Sequence, residues 1–444
     1  MDYRTALFAV AVAFLTSLVF GLAPSLSASR VNLNEALQQT GRSAGTGRSS
    51  SRMRRLLVGG EVALSVVLLA GAGLLLRSYQ RLWQANPGFV ADRLLTARIS
   101  LPVLEYRDPV RIAAFYSELL TQVQALPGVR SAGAVDGLPF GGGDHGGDFQ
   151  IAGRPWPVSE PVPDVAKRRA TPGYFEAMGI PLKQGRLFSG QANANAPRVA
   201  IIDETLAKSF FPQGDAVGQF LIDPTVNKKP GEASQIVGIV GAVKDRSLMK
   251  NPVPIIYHPA LQAPSAFMNL AVRTAGDPLA PLSAIERKVR EIDRNLPVYK
   301  IATMEQNLAD SLMRRRFSML LLAILAGVAL CLSAVGVYGV IAYSVNQRVR
   351  EIGIRMALGA ETPGVQRLIL GQGMRPVLAG LAAGLLASLA PTRALASLLY
   401  GVSAFDPPTF LAVCVLLLAV SALAGAVPAR RAARVDPMDA LRDE

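Results

Sequence analysis

The sequence predicts an α-helical membrane protein that carries a large α+β domain outside the cytoplasm. Three observations predict it. The chain of 444 residues is 50% hydrophobic and only 18% charged. Its apolar residues gather into runs near the roughly 20 residues that a helix needs to cross a hydrocarbon core about 30 Å thick. Between the second and third of these runs, residues 78–313 have the mixed composition of a chain that folds in water.

Five stretches reach or approach a span: Ala6–Ala23, Leu56–Leu76, Phe317–Val345, Val377–Ala390 and Thr409–Val427. The fourth is the weakest, because Pro391 and Arg393 interrupt it early. Orientation follows from charge. The net charge is +14, yet Arg81 to Asp310 holds 25 basic and 22 acidic residues, so most of the surplus flanks the spans. Residues 25–55 carry Arg30, Arg42, Arg48, Arg52, Arg54 and Arg55 against Glu35 alone. The segment 346–376 carries Arg348, Arg350, Arg355, Arg367 and Arg375, and the C-terminus carries Arg430, Arg431, Arg434 and Arg442. Basic flanks mark the cytoplasmic side, which puts residues 78–313 and the N-terminus outside. Arg314, Arg315 and Arg316 then lie on the outer face, a departure that long translocated domains tolerate. A basic surplus placed this way excludes nucleic-acid binding as its explanation. Cys331 and Cys414 both lie in apolar runs, so the outer domain has no disulfide framework.

The divisions expected are 1–24, a span; 25–55, a basic cytoplasmic linker, Ser/Gly-rich over 41–51; 56–77, a span; 78–313, the outer domain; and 314–444, three spans around a cytoplasmic loop at about 346–376. In the outer domain, Leu94–Leu101, Arg198–Asp203 and Gln235–Val243 read as strands, although Gly238 and Gly241 weaken the last. Asp108–Leu126 reads as a helix with Asp108 as N-cap and Pro109 behind it, and Pro278–Ile292 as another. Gly137–Asp148 is Gly-rich and reads as a mobile loop.

The first 28 residues have two readings. Arg4, an apolar stretch and Ser25–Ala28 resemble a secretory signal with its cleavage site. Against this, residues 24–37 align with 428–441 at a constant offset. Pro24, Ala28, Arg30, Val31, Ala36 and Leu37 match Pro428, Ala432, Arg434, Val435, Ala440 and Leu441. On that reading Ala6–Ala23 is the last span of an earlier copy of the same module, and the chain is a C-terminal fragment of a duplicated protein.

No phosphate-cradling G-x-x-x-x-G-K-[ST] loop occurs in the chain, so any ATP chemistry belongs to another polypeptide. The strongest local pattern is Arg350–Gly359. Glu351 and Arg355 fall on one helical face, Ile352 and Met356 on another, and Gly359 is a natural stop. Thr362–Pro363 then starts a second short amphipathic segment with Val365, Leu368 and Ile369 as its apolar face. By spacing alone this is either a docking surface or an interfacial helix that anchors the fold. Glu61 is an ionisable residue within a span, either functional or paired near the interface with Arg54 or Arg55. Gly380 and Gly384 form a G-x-x-x-G pair that packs within the subunit or between subunits. Ser247–Lys250 is an S-x-x-K match without its companion motifs. Asp144, His145 and Asp148 are a thin candidate for a metal, so neither a catalytic centre nor a metal site is expected.

Glu351–Ala360 resembles the cytoplasmic signature of MacB/FtsX-type ABC permeases, and Pro428–Leu441 resembles their C-terminal one. Gly336–Tyr343 is similar to the end of the preceding span, while Thr171–Ile180 and Val199–Ala207 are similar to the MacB-like periplasmic core. Arg30–Leu37 after an extra span is similar to the acidobacterial duplicated orphan permeases. The resemblance implies a multi-pass protein of the bacterial cytoplasmic (inner) membrane that transmits motion from a separate ABC ATPase to its outer domain, for efflux or export. It implies that the ATPase docks on Arg350, Glu351, Ile352, Gly353, Arg355, Met356, Ala357, Leu358 and Gly359, and that ATP is bound by that partner, with no cofactor held by this chain. A second permease copy or a homodimer, and a periplasmic adaptor, are the other partners implied. The alternative is a regulator or scaffold of extracytoplasmic cell-wall enzymes.

Overall fold

A computed structural model describes residues 47–141, 146–154, 165–227, 232–249, 251–347, 351, 352, 354, 356 and 361–432. The span expected at Ala6–Ala23, the 24–37 copy of the repeat, and Asp144 and His145 lie outside these residues. In chain order the elements are α1 (Gly47–Trp83), β1 (Leu94–Ser100), α2 (Pro109–Gln124), β2 (Val129–Val135), β3 (Gly146–Gly147), β4 (Gln150–Ile151), β5 (Val165–Ala170), α3 (Tyr174–Met178), β6 (Leu182–Gly185), β7 (Val199–Asp203), α4 (Glu204–Phe210), β8 (Phe220–Ile222), β9 (Ser234–Val240), β10 (Ile255–Pro259), β11 (Phe267–Thr274), α5 (Leu282–Ile292), β12 (Val298–Thr303), α6 (Met304–Asn346), α7 (Thr362–Ala394) and α8 (Pro407–Ala432). They divide into two units, Tyr79–Ser318 and Met1–Ser78 with Met319–Glu444; the described residues of the second are almost all helical and form the helical unit.

Among the described residues four helices are long and apolar enough to cross a membrane: Met53–Trp83, Arg316–Asn346, Thr362–Ala394 and Pro407–Arg431. Each is longer than its apolar run. α1 begins at Gly47, inside the stretch that reads as a Ser/Gly-rich linker. The third span needs a larger correction. It is one helix of 33 residues with Pro376 and Pro391 inside it, and the amphipathic segment expected at 362–369 is its first turns. A proline removes one hydrogen bond, but packing against neighbouring helices lets an apolar span continue through it. Pro376 is buried, and α7 continues past Pro391 to Ala394 before a single 3-10 turn.

Close approach fastens the helices of this unit. A Cβ at Gly380 would collide with the Gly59 carbonyl of α1, and one at Gly384 would lie 2.7 Å from Val66 Cβ. The glycine pair therefore packs within the subunit. Ser65 Oγ donates to the Ala329 carbonyl at 3.0 Å, tying α1 to α6. Val58, Val62, Val337, Ile341, Val345, Val365, Ile369 and Val377 form one apolar cluster. Leu320, Leu321, Ile324, Leu325, Leu411 and Leu423 face outward, 47–71% exposed. So much uncovered leucine suits a lipid surround, not water.

Tyr79–Ser318 is built on a mixed sheet in the order β12-β1-β11-β2-β5-β10-β7-β9-β8-β4. β10 runs parallel to β5 and β7 parallel to β9; the other pairs are antiparallel. The expected strands appear as β1, β7 and β9. Gly238 does not break β9. It admits the neighbouring chain, because a Cβ there would strike the Arg186 backbone. α2 begins as its sequence requires, with Asp108 accepting from Val110 N at 2.9 Å. α5 starts at Leu282, later than expected, because Asp277 caps a turn at Leu279 N first. One face of β1, β11 and β2 is covered by α2 and α5 through Phe115, Leu119, Leu270, Val272, Ile285 and Val289.

Candidate functional site

The cytoplasmic segment expected to carry function begins where α6 ends at Asn346. Among the described residues that follow, Glu351, Ile352, Ile354 and Met356 are helical. Ile352 is buried against Val345, Val365 and Ile369, and Met356 packs on the same cluster. Glu351 stays exposed, and so does Ile354, by 43%. Arg350, Gly353, Arg355, Ala357, Leu358 and Gly359 lie outside the described residues, as does any Glu351–Arg355 contact.

The first turns of α7 extend this surface. Val365 and Ile369 are buried four residues apart, while Glu361, Thr362, Arg367 and Leu368 are exposed. Leu368, expected on the buried face, is 45% exposed instead. A helix that buries positions 365 and 369 turns position 368 some 60° away from 365, and here it faces outward. The result is a pinned segment whose other side presents an acid, a base and two large apolar side chains.

Glu61 sits two turns inside the span, beside Gly336 of α6, where a Cβ would come within 2.5 Å of its Oε2. Among the described residues it forms no ion pair with Arg54 or Arg55. Arg54 is seven residues away, about 10 Å along the axis, and its guanidinium lies 3.8 Å over the Tyr343 ring. At the opposite end of α1, Arg77 pairs with Asp406. Asp406 also caps α8, accepting from Thr409 Oγ1 at 2.6 Å and Thr409 N at 3.2 Å. Burial opposes ionisation of Asp406, but the Thr409 hydroxyl and Arg77 hold its carboxyl below its ordinary value. Ser78 Oγ accepts from Tyr400 N at 2.8 Å beside this pair. Asp406 before Pro407 is the local pattern of a helix start; its partner Arg77 comes from the far end of the sequence.

Sequence reading also missed the charges inside Tyr79–Ser318. Strand β5 carries Lys167, Arg168 and Arg169 in succession, and each meets an aspartate from a different segment. Lys167 Nζ reaches Asp223 Oδ1 at 2.8 Å, Arg168 pairs with Asp245, and Arg169 reaches Asp136 at 3.5 Å. Asp223 is fully buried and takes in addition Thr225 Oγ1 at 2.7 Å and His258 Nε2 at 2.8 Å. Burial alone would raise its carboxyl; His258, Lys167 and Thr225 outweigh that and hold it well below the carboxylate range. Asp148 is exposed, and its carbonyl accepts from Lys167 Nζ at 2.6 Å, so it belongs to this network. Among the described residues no group of three metal-ligating side chains comes together.

Comparison with known proteins places these features. The family model of the MacB-like periplasmic core domain matches residues 62–292, and that of the FtsX-like permease C-terminal domain matches 323–437. The pyoverdine export ATP-binding/permease protein PvdT of Pseudomonas syringae pv. syringae is 28% identical over 275 residues, 60% of this chain and 40% of that protein. The macrolide export ATP-binding/permease protein MacB of Azoarcus sp. is 27% identical over 286 residues, 61% of this chain and 41% of that protein. The chain thus spans about two fifths of the length of these curated relatives. The periplasmic region of MacB from Actinobacillus actinomycetemcomitans aligns with a TM-score of 0.33 at 13% identity, covering 49% of this chain and 92% of that one.

Proposed function

This chain belongs to the MacB/FtsX-like ABC permeases, and from that premise we propose that it is the membrane subunit of an export system driven by a separate cytoplasmic ATPase. The ATPase docks on the surface made by Glu351, Ile354, Met356 and the first turns of α7. Arg350, Gly353, Arg355, Ala357, Leu358 and Gly359 belong to the same docking segment by their sequence pattern. Nucleotide-driven movement of the ATPase shifts the helical unit, and the shift reaches the extracytoplasmic domain. The ATP is the partner's; this chain holds no cofactor. It resides in the cytoplasmic membrane of a bacterium, works beside a second permease copy or as a homodimer, and hands its substrate to a periplasmic adaptor.

The observation that supports the reading is the division of the 351–369 surface. Ile352, Val365 and Ile369 are fastened into the helical unit, while Glu351, Ile354 and Leu368 are left outward. Ile354 and Leu368 stand beside exposed Glu351 and Arg367, a mixed face that suits a protein partner better than lipid tails. The test is purification from native membranes of the wild type and of Glu351→Lys with Leu368→Asp. A co-purifying ATPase, lost in the variant while the variant stays inserted, is the expected result. An ATPase retained by the variant contradicts the docking surface, and a co-purifying cell-wall hydrolase in place of an ATPase would establish the regulatory alternative.

A further inference from the structure

A groove of about 720 Å³ runs between α1 and α7 within the helical unit, inside the range of roughly 300 to 1,000 Å³ typical of ligand sites. Its walls come from Leu56, Gly60 and Ala63 of α1 and from Ala379 and Ala383 of α7. The walls are almost featureless because the side chains are so small. Gly60 has no atom within 4 Å of where a Cβ would stand, so the trough there is open. Arg55 and Arg375 also line it. Both are exposed, and among the described residues neither pairs with a carboxylate. Arg54, one residue earlier, is already committed to Tyr343.

The position of this arginine pair along the helices is informative. Arg55 and Arg77 are 22 residues apart on α1, about 33 Å at 1.5 Å per residue. That is the thickness of a hydrocarbon core, so the two arginines mark its two faces. Arg77 has its counter-charge in Asp406; among the described residues Arg55 has no ion-pair partner. Arg375 lies at the level of Arg55, since Gly59 packs against the carbonyl of Pro376. Two guanidinium groups with no ion-pair partner among the described residues therefore stand at the interface, at the mouth of an apolar trough that continues into the hydrocarbon.

We propose that this groove is a binding site for an anionic phospholipid, with the headgroup phosphate held between Arg55 and Arg375 and an acyl chain laid against Gly60 and Ala379. Basic pockets between spans on the cytoplasmic side attract anionic headgroups, and guanidinium groups bind phosphate through paired hydrogen bonds. Charge selects the lipid over a second copy of the chain as occupant. A two-fold contact centred here would bring four guanidinium groups into one interface, whereas a phosphate compensates both. The inference concerns a ligand and not the partner ATPase, and it rests on the helical unit being membrane-embedded.

The test uses the full chain in nanodiscs with spin-labelled phosphatidylglycerol or phosphatidylcholine as probe, flotation confirming insertion. The motionally restricted fraction should be larger for phosphatidylglycerol. Arg55→Gln and Arg375→Gln should each lower its relative association about five-fold, and Arg55→Lys with Arg375→Lys should keep most of the preference. Gly60→Leu fills the trough without a clash and should displace the restricted component. Equal association of the two lipids, or a preference unchanged in the double Gln variant, overturns the proposal. So does a Gly60→Leu variant that shifts the monomer–dimer balance while phosphatidylglycerol association holds, because the occupant would then be a second copy. A wild-type chain that fails to float with the lipid overturns the membrane reading itself, an outcome distinct from all of these.

Discussion

The two units treat charge in opposite ways. Tyr79–Ser318 draws Lys167 and Arg168 into its interior and meets each with an aspartate from another segment, one of which also bonds His258. The helical unit keeps its described arginines at the ends of apolar runs, where Arg54 lies on Tyr343 and Arg77 on Asp406. The difference reflects what each must specify. A slip in register would leave buried charges unpaired, so the matched pairs leave one arrangement with every partner satisfied. Helices in lipid need no such device for register, because glycine contacts such as Gly380 on Gly59 set their approach. Their charges set depth instead.

Breaking the buried network should have the largest effect. Asp223→Asn leaves Lys167 and His258 without their anion, so the outer unit should lose about 3 to 5 kcal/mol. Replacing the interacting set together, Lys167→Met and His258→Phe with Asp223→Leu, should cost less than Asp223→Asn alone. Denaturant melts of the full chain in detergent compare the two. Acid gives the same comparison without mutation. The carboxyl of Asp223 is held below its unfolded value of 3.8, so the unfolded chain binds the proton more readily. The stability it contributes is complete above that pH and is lost as pH falls through the folded value. Asp223→Asn should flatten this part of the acid limb; an unchanged limb assigns it to other carboxylates.

Crowding the glycine contact comes next. Gly380→Leu should cost about 1 to 3 kcal/mol by overpacking, whereas Gly60→Leu, facing open space, should leave the melt of the helical unit unchanged. Equal effects would mean that the α1–α7 contact is not close in solution. Asp406→Asn keeps an acceptor for the α8 cap but gives up the ion pair with a partly exposed Arg77, a loss of about 0.5 kcal/mol. The smallest change in stability is expected at the outward positions. Leu368→Asp should shift the midpoint by no more than about 0.5 kcal/mol.

What was legible in the sequence divides along the same line. Length and hydropathy exposed the spans after Leu56, and short runs of branched apolar residues exposed β1, β7 and β9, because these signals are local. The Pro376 helix was misread as two pieces because a proline breaks a helix in water but not one packed among other helices. Strand β5 was invisible, since Lys167-Arg168-Arg169 reads as a solvated run until three distant aspartates fold onto it. The exposure of Leu368 could not be settled from spacing, which places it near Val365 without saying which side of the helix meets the core.

The most direct measurement is the ATP hydrolysis rate of the co-purified ATPase, reconstituted in nanodiscs with the wild-type chain or with Leu368→Asp. The coupling account predicts a rate that rises with the wild type and stays at the level of the free ATPase with the variant, although both chains insert and melt alike. Equal stimulation by both would contradict it, and the 351–369 surface would then be an anchor of the fold and nothing more.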